Sequence, residues 1–282
     1  MAAAKESKTE GVYVLDGKDI PYVVYRKAVK NLNLRVHTDG TLYISVPKRA
    51  AKDAHLAFLF RHEDFLRRSL AKISQRNKNT LPLAADGCPA DGVEFRIYGI
   101  KYRICRHRAE DTPFPPFRSW AELREHPVDD GFVWDVYLKK GIDETVAAGA
   151  VARVVYSKAV AVLEGKIQAL MPSLQRRFEM VLPMISDGNP TKFPYSRFIF
   201  SPKEIRIKQM TSRWGSCAAS RGVLTFNLRL LCAPEICTQY VMYHEFAHFL
   251  VQDHSAAFHA LMSLLMPEYR SVRAVLNGRG NN

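Results

Sequence analysis

The chain has 282 residues, 47% hydrophobic and 24% charged, which suits one large or two modest globular domains and excludes a disordered chain, a collagen or a coiled-coil rod. Lys and Arg number 41 against 28 Asp and Glu, a net charge of +13. The excess is uneven: residues 1–110 hold 21 basic and 12 acidic side chains (+9), 111–147 hold 4 and 8 (−4), and 148–282 hold 16 and 8 (+8).

Such a surface suits nucleic acid, nucleotides or acidic proteins, and is as common in proteins that bind none of them. No uncharged apolar run approaches the ~18–20 residues of a membrane span. The first ten residues are polar, and the five cysteines (Cys88, Cys105, Cys217, Cys232, Cys237) are odd in number and scattered. The expectation is a cytoplasmic protein without a disulfide framework or membrane contact.

Residues 12–15, 22–25, 32–36 and 42–46 carry β-branched, aromatic or alternating apolar residues and predict strands, with Asp39-Gly40 as a hairpin signal between the last two. Residues 50–73 place Leu56, Leu59, Phe60, Leu66, Leu70 and Ile73 at helical spacing. The opposite face of that helix, with Arg61, Arg67, Arg68 and Lys72, reads as solvated in preference to a binding patch. A loop over 77–92 leads to strands at 95–97, 102–104 and 133–138. Residues 107–131 hold four prolines and most of the acidic excess, and read as a surface insertion. No internal repeat is apparent.

A helix over 144–171 is predicted from Val151, Val154, Val155, Ala159, Leu163 and Ile167, with Pro172 ending it. Strands at 204–210 and 223–228 flank the run Ser212-Arg-Trp-Gly-Ser-Cys217. The fold class is therefore α+β: a β-rich region with one helix over 1–143, and a second region over 144–282.

Pro234 suits the first turn of a helix that contains His244-Glu245-Phe246-Ala247-His248. Residues four apart on a helix are neighbours, so both imidazoles reach one metal ion. Glu245 lies about 100° round the helix, beside the metal without binding it, where it can take a proton from water. Neutral imidazoles suit zinc, and a catalytic zinc takes three protein ligands and keeps one position open. His254 is the downstream candidate for the third ligand, provided the helix stops and the chain turns back. Asp253 is the expected turn residue, in the left-handed region, and Ser255 the expected cap of a helix Ala256–Leu265 ending at Pro267.

With these residues in view the chain resembles the YgjP-like zincin metallopeptidases, relatives of the SprT-like and WLM proteases. The resemblance runs through Asp39-Gly40, Tyr98-Gly-Ile-Lys-Tyr102, Arg213-Trp-Gly-Ser-Cys217, Phe226-Asn-Leu-Arg-Leu-Leu231, Ala233-Pro234, the His244–His248 motif, His254-Ser255 with Phe258, and Pro267-Glu-Tyr269. It implies a zincin-like catalytic domain over 144–282, with an antiparallel hairpin and an active-site helix. It also implies one zinc per chain on His244, His248 and His254, Glu245 as catalytic base, and a cleft lined by residues 213–217. Phe246, Asp253 and His259 depart from the family's usual residues, and His259 adds a fourth imidazole near the site.

The expected activity is zinc-dependent hydrolysis of peptide bonds in a protein or peptide. Arg213, Tyr240, Tyr269 and His259 are candidate donors to the developing oxyanion, and Asn227 is a candidate hydrogen-bonding partner for a ligand or the backbone. Two alternatives share the site chemistry. One is hydrolysis of a nucleotide phosphoanhydride, which lacks the support of a glycine-rich phosphate loop. The other is a protease acting on proteins held on nucleic acid, for which no more than weak, sequence-independent binding is expected.

Overall fold

The computed structural model describes residues 7–37, 40–78, 81, 89–108, 119–186 and 193–278. By its internal contacts the chain divides into two compact units, Met1–Lys78 and Asn79–Asn282.

The first unit is a four-stranded sheet with two helices. Strands β1 (Ser7–Leu15), β2 (Lys18–Lys27), β3 (Asn33–Val36) and β4 (Leu42–Pro47) lie in the order β1-β2-β4-β3. The outer pairs are antiparallel and β2 runs parallel to β4. The tight turn is Asp16-Gly17, whose φ values of 51° and 74° fit the type I′ hairpin that suits strand twist. The hairpin signal at Asp39-Gly40 falls partly outside the described residues.

The single helix expected over 50–73 is two: α1 (Ala54–Arg61) and α2 (Glu63–Lys78). His62 separates them, its ring nitrogen bonded to the Phe58 carbonyl, and Glu63 and Asp64 open α2 where the helix dipole favours acids. Leu15, Val24, Leu42, Ile44, Val46, Leu59 and Leu66 form this unit's core. Arg67 is held by Asp16, Glu63 and Asp64, so its charge is matched locally.

The second unit repeats the first sheet's wiring. Strands β5 (Glu94–Ile97), β6 (Ile100–Arg108), β7 (Ala121–Val128) and β8 (Gly131–Leu138) lie in the order β5-β6-β8-β7, again with antiparallel outer pairs and a parallel central pair. The first turn is again two residues with positive φ, Tyr98-Gly99 at 50° and 85°. This repeat of topology is invisible in the residues themselves.

Strand β7 corrects the expectation of an insertion over 107–131. Residues 109–118 lie outside the described residues, but 121–128 are an edge strand, where Pro127 forfeits no central ladder bond. Its acids are structural: Glu125 accepts the indole N–H of the fully buried Trp134 at 2.6 Å and pairs with Lys158 at 3.4 Å.

Helix α3 (Glu144–Ser186) is 43 residues long, about 65 Å at 1.5 Å per residue. It runs through Pro172, where a stop was expected, and through Pro183. A proline inside a helix costs about 3 kcal/mol. Leu174, Phe178 and Val181, all buried beyond Pro172, each return about 1.5–3 kcal/mol, so continuing the helix wins. Ser173 Oγ donates to the Leu170 carbonyl beside Pro172. By length and composition α3 is also apolar enough to cross a membrane, its stretch interrupted by Arg153 and Lys158; here Val151, Val155, Ala159, Leu163 and Ile167 lie in the core.

Because α3 buries that face against β7 and β8, the sheet β5–β8 shares one core with the C-terminal elements of the chain. The boundary drawn at 143/144 from sequence lies inside this second unit. After the short helix α4 (Arg197–Phe200) come β9 (Glu204–Lys208), β10 (Gly215–Ala218) and β11 (Val223–Asn227), in the order β10-β11-β9. The antiparallel hairpin is β10 with β11, and β9 runs parallel to β11. Helices α5 (Glu235–Ala247), α6 (Ala256–Leu265) and α7 (Tyr269–Leu276) complete the unit, with β10 and α7 both against α5.

Candidate active site

Helix α5 starts after Pro234 and buries residues on nearly every side, among them Cys237, Thr238, Tyr240, Met242, Tyr243 and Phe246. A helix apolar all round belongs inside a protein, and this places the His-Glu-x-x-His run at the floor of a cleft of about 660 Å³. The helix ends at Ala247 and tightens, with Phe249 N–H on the Phe246 carbonyl and Leu250 N–H on Ala247. No left-handed residue makes the return: Asp16 and Tyr98 are the non-glycine residues with positive φ among those described, so the conformation expected of Asp253 is not used. Asp253 instead accepts the backbone N–H of Ser255 at 3.3 Å. Ser255 stands at the N-cap of α6 without a side-chain cap bond, and α6 has the expected bounds.

This return brings His254 to the other two imidazoles. The ring centroids of His244, His248 and His254 are 4.9–5.0 Å from one another. Phe258 lies 4.7–4.9 Å from all three, forming the base of the cluster. One nitrogen from each histidine lies within 4.8 Å of the others, and His244 Nε2 and His254 Nε2 are 3.0 Å apart. Tetrahedral ligation at about 2.0–2.1 Å needs nitrogens about 3.3–3.4 Å apart, so the cluster fits a metal ion with small rotations.

The second nitrogens are committed elsewhere. His248 Nδ1 donates to the Val251 carbonyl at 3.0 Å, which leaves Nε2 unprotonated. The Tyr240 hydroxyl lies 3.5 Å from His244 Nδ1. Burial, then the neighbouring imidazoles and Arg273, push His244 down to about 3, and burial also lowers His248. Both are neutral near pH 7, the form that ligates metals.

Glu245 is 5% exposed. Burial pushes its carboxyl up to about 8, and the Arg213 guanidinium draws it back. Cys217 lines the same cleft, but burial and the charge of Glu245 push its thiol up to about 12, so it stays protonated. Asn227 ties the loop before β10 in place, donating to the carbonyls of Met210 and Arg213 at 2.8 and 2.7 Å. Trp214 is a cleft wall, with the Arg229 guanidinium 4.9 Å from its ring.

A family model for the YgjP-like metallopeptidase domain matches the chain twice, over residues 30–182 and 135–279. The chain belongs to the YgjP-like metallopeptidases. No curated protein and no solved structure matched it. Within this YgjP-like chain, Arg213 and Tyr240 line the cleft with the three histidines and Glu245. Tyr269 and His259 do not: the Tyr269 hydroxyl is 3.2 Å from His259 Nδ1 and accepts Arg270 Nε at 3.1 Å.

Phe258, named beside His254-Ser255 in the sequence resemblance, is brought under all three imidazoles. Two features of the cleft escaped sequence reasoning. A Cβ on Gly215 would lie 2.5 Å from Glu245 Oε1 and 2.6 Å from its Cγ, so the strand and the carboxylate touch only because residue 215 has no side chain. Arg273 on α7 and Asn277 at its C-terminal cap line the cleft, and no sequence motif marks either residue.

Proposed function

We propose that this metallopeptidase is zinc-dependent, with one zinc on His244, His248 and His254 and Glu245 as general base. The observation that carries the reading is the convergence of three imidazoles on one point beside a buried carboxylate. When bound, zinc supplies Lewis acidity that polarises a scissile carbonyl and makes water acidic enough to attack near neutral pH.

The protein's own residues do the rest. Glu245 accepts a proton as the water oxygen bonds to the carbonyl carbon. It delivers a proton to the amide nitrogen as the C–N bond breaks, so the carboxylate is regenerated at the end of the turnover. Arg213, which lines the cleft with Glu245, is a cationic donor available to the developing oxyanion, and Tyr240 holds His244 in the ligating orientation.

The purified protein is expected to cleave peptides, to lose this activity to a zinc chelator, and to regain it with one equivalent of zinc per chain. Metal analysis alongside a peptide-cleavage assay checks this. Hydrolysis that survives complete removal of metal would overturn the reading.

Gly215 provides a sharper probe. In Gly215→Ala the new methyl must displace the Glu245 carboxylate, which has little free space around it. A misplacement of about 1 Å costs on the order of 10²-fold in rate. Turnover is expected to fall by about that factor while zinc stoichiometry stays at one, read by steady-state kinetics and metal content on the same preparation.

A further inference from the structure

The cleft's charge is lopsided. The wall residues include two guanidiniums, Arg213 and Arg273, and one carboxylate, Glu245. Arg213 is accounted for by its position beside Glu245. Arg273 is not. It is exposed on α7, one helical turn before Asn277, and both residues face the cleft. Among the described residues neither the Arg273 guanidinium nor the Asn277 side-chain amide has a hydrogen-bond or ion-pair partner. Arg273 lines the same cleft as the three histidines. A cation there opposes the binding of a metal ion, and among the described residues no side chain pairs with it in return.

A guanidinium offers parallel N–H donors that match the two oxygens of a carboxylate, and an amide N–H one turn along the helix adds a third. We propose that Arg273 and Asn277 recognise a substrate carboxylate close to the scissile bond. This rests on the peptidase reading and narrows it to a substrate class: peptides with an acidic group beside the cleaved bond. That carboxylate is either the C-terminus of the peptide or an Asp or Glu side chain, and both present the same planar anion. A nucleotide phosphate is the less favoured anion, since the cleft wall has no glycine-rich loop to cradle it.

The test uses the zinc-loaded Glu245→Gln protein, in which binding is read without turnover. Fluorescein-labelled peptides of one sequence are compared by anisotropy with a free or amidated C-terminus, and with Glu or Gln at the central position. The acidic forms are expected to bind at least about tenfold more tightly than the fully neutral form. Arg273→Gln in the same protein is expected to erase that advantage, a loss of about 10–100-fold, with zinc content unchanged. Preference lost on amidation assigns the terminal carboxylate, and preference lost on Glu→Gln assigns the side chain.

Equal affinity for acidic and neutral peptides, or a preference that survives Arg273→Gln, overturns the proposal. Tighter, Arg273-dependent binding of a nucleoside triphosphate overturns it in favour of a phosphate site. Wild-type turnover separates the two readings. Neutral peptides cleaved as fast as acidic ones would sink the carboxylate site and leave the peptidase standing. Arg273-dependent binding of acidic peptides that are never cleaved would do the reverse.

Discussion

Glu245→Gln is expected to bind one zinc as the wild type does and to cleave peptides about 10²–10⁴-fold more slowly, the range a positioned general base contributes. Gln keeps the shape of Glu and fills the same space against Gly215. It cannot accept the proton of the attacking water. The exchange also removes a carboxyl that burial discourages from ionising, so the variant loses no stability on that account. Turnover, zinc content and melting temperature measured together give the pattern: a large fall in the first, no change in the second, and no decrease in the third. Wild-type turnover by this variant would remove Glu245 from the mechanism.

His248→Ala is expected to abolish metal binding and activity together. Loss of a partner behind a ligand costs about 10–100-fold in metal affinity, and loss of the ligand itself costs more. The change also removes the ring stacked on Phe258 at 4.7 Å, so folding is checked by circular dichroism on the metal-free proteins. His259→Ala is the matched control, because His259 turns its ring nitrogen to Tyr269 and does not line the cleft. It is expected to keep one zinc. Zinc retained by His254→Ala and lost by His259→Ala would transfer the third ligand position from His254 to His259.

The residues of the His cluster were legible because the interactions that place them are local. The spacing of His244 and His248, the proline before α5 and the bounds of α6 all come from helix period and termination, which act within a few residues. The turn to His254 was legible as a necessity but not in its means, since a tightened helix end replaces the left-handed residue. Where the outcome depends on distant partners, local signals mislead. Pro172 stops a helix unless a buried face continues beyond it, as Leu174 and Phe178 make it do. Pro127 and its acidic neighbours read as loop until β8 is there to pair with them. The hairpin at Asp16-Gly17 carries the signal also found at Asp39-Gly40, but its flanking strands are partly polar and weaken it. Arg273 had no signal: its role depends on α7 folding back against α5.

The length of α3 ties the two ends of the second unit together. Its first half lies against β7 and β8, and its second half reaches Phe178, which stands 6.3 Å from Tyr243 and 6.5 Å from Phe246 on the helix of the histidines. One continuous element with one buried face unfolds as a cooperative block, so the sheet cannot open without releasing support beneath the cleft. A ligand held by the folded site lowers the population of every state in which that block is open, by mass action alone. Slower amide exchange in β8 on metal binding is the consequence, with no movement of the sheet required.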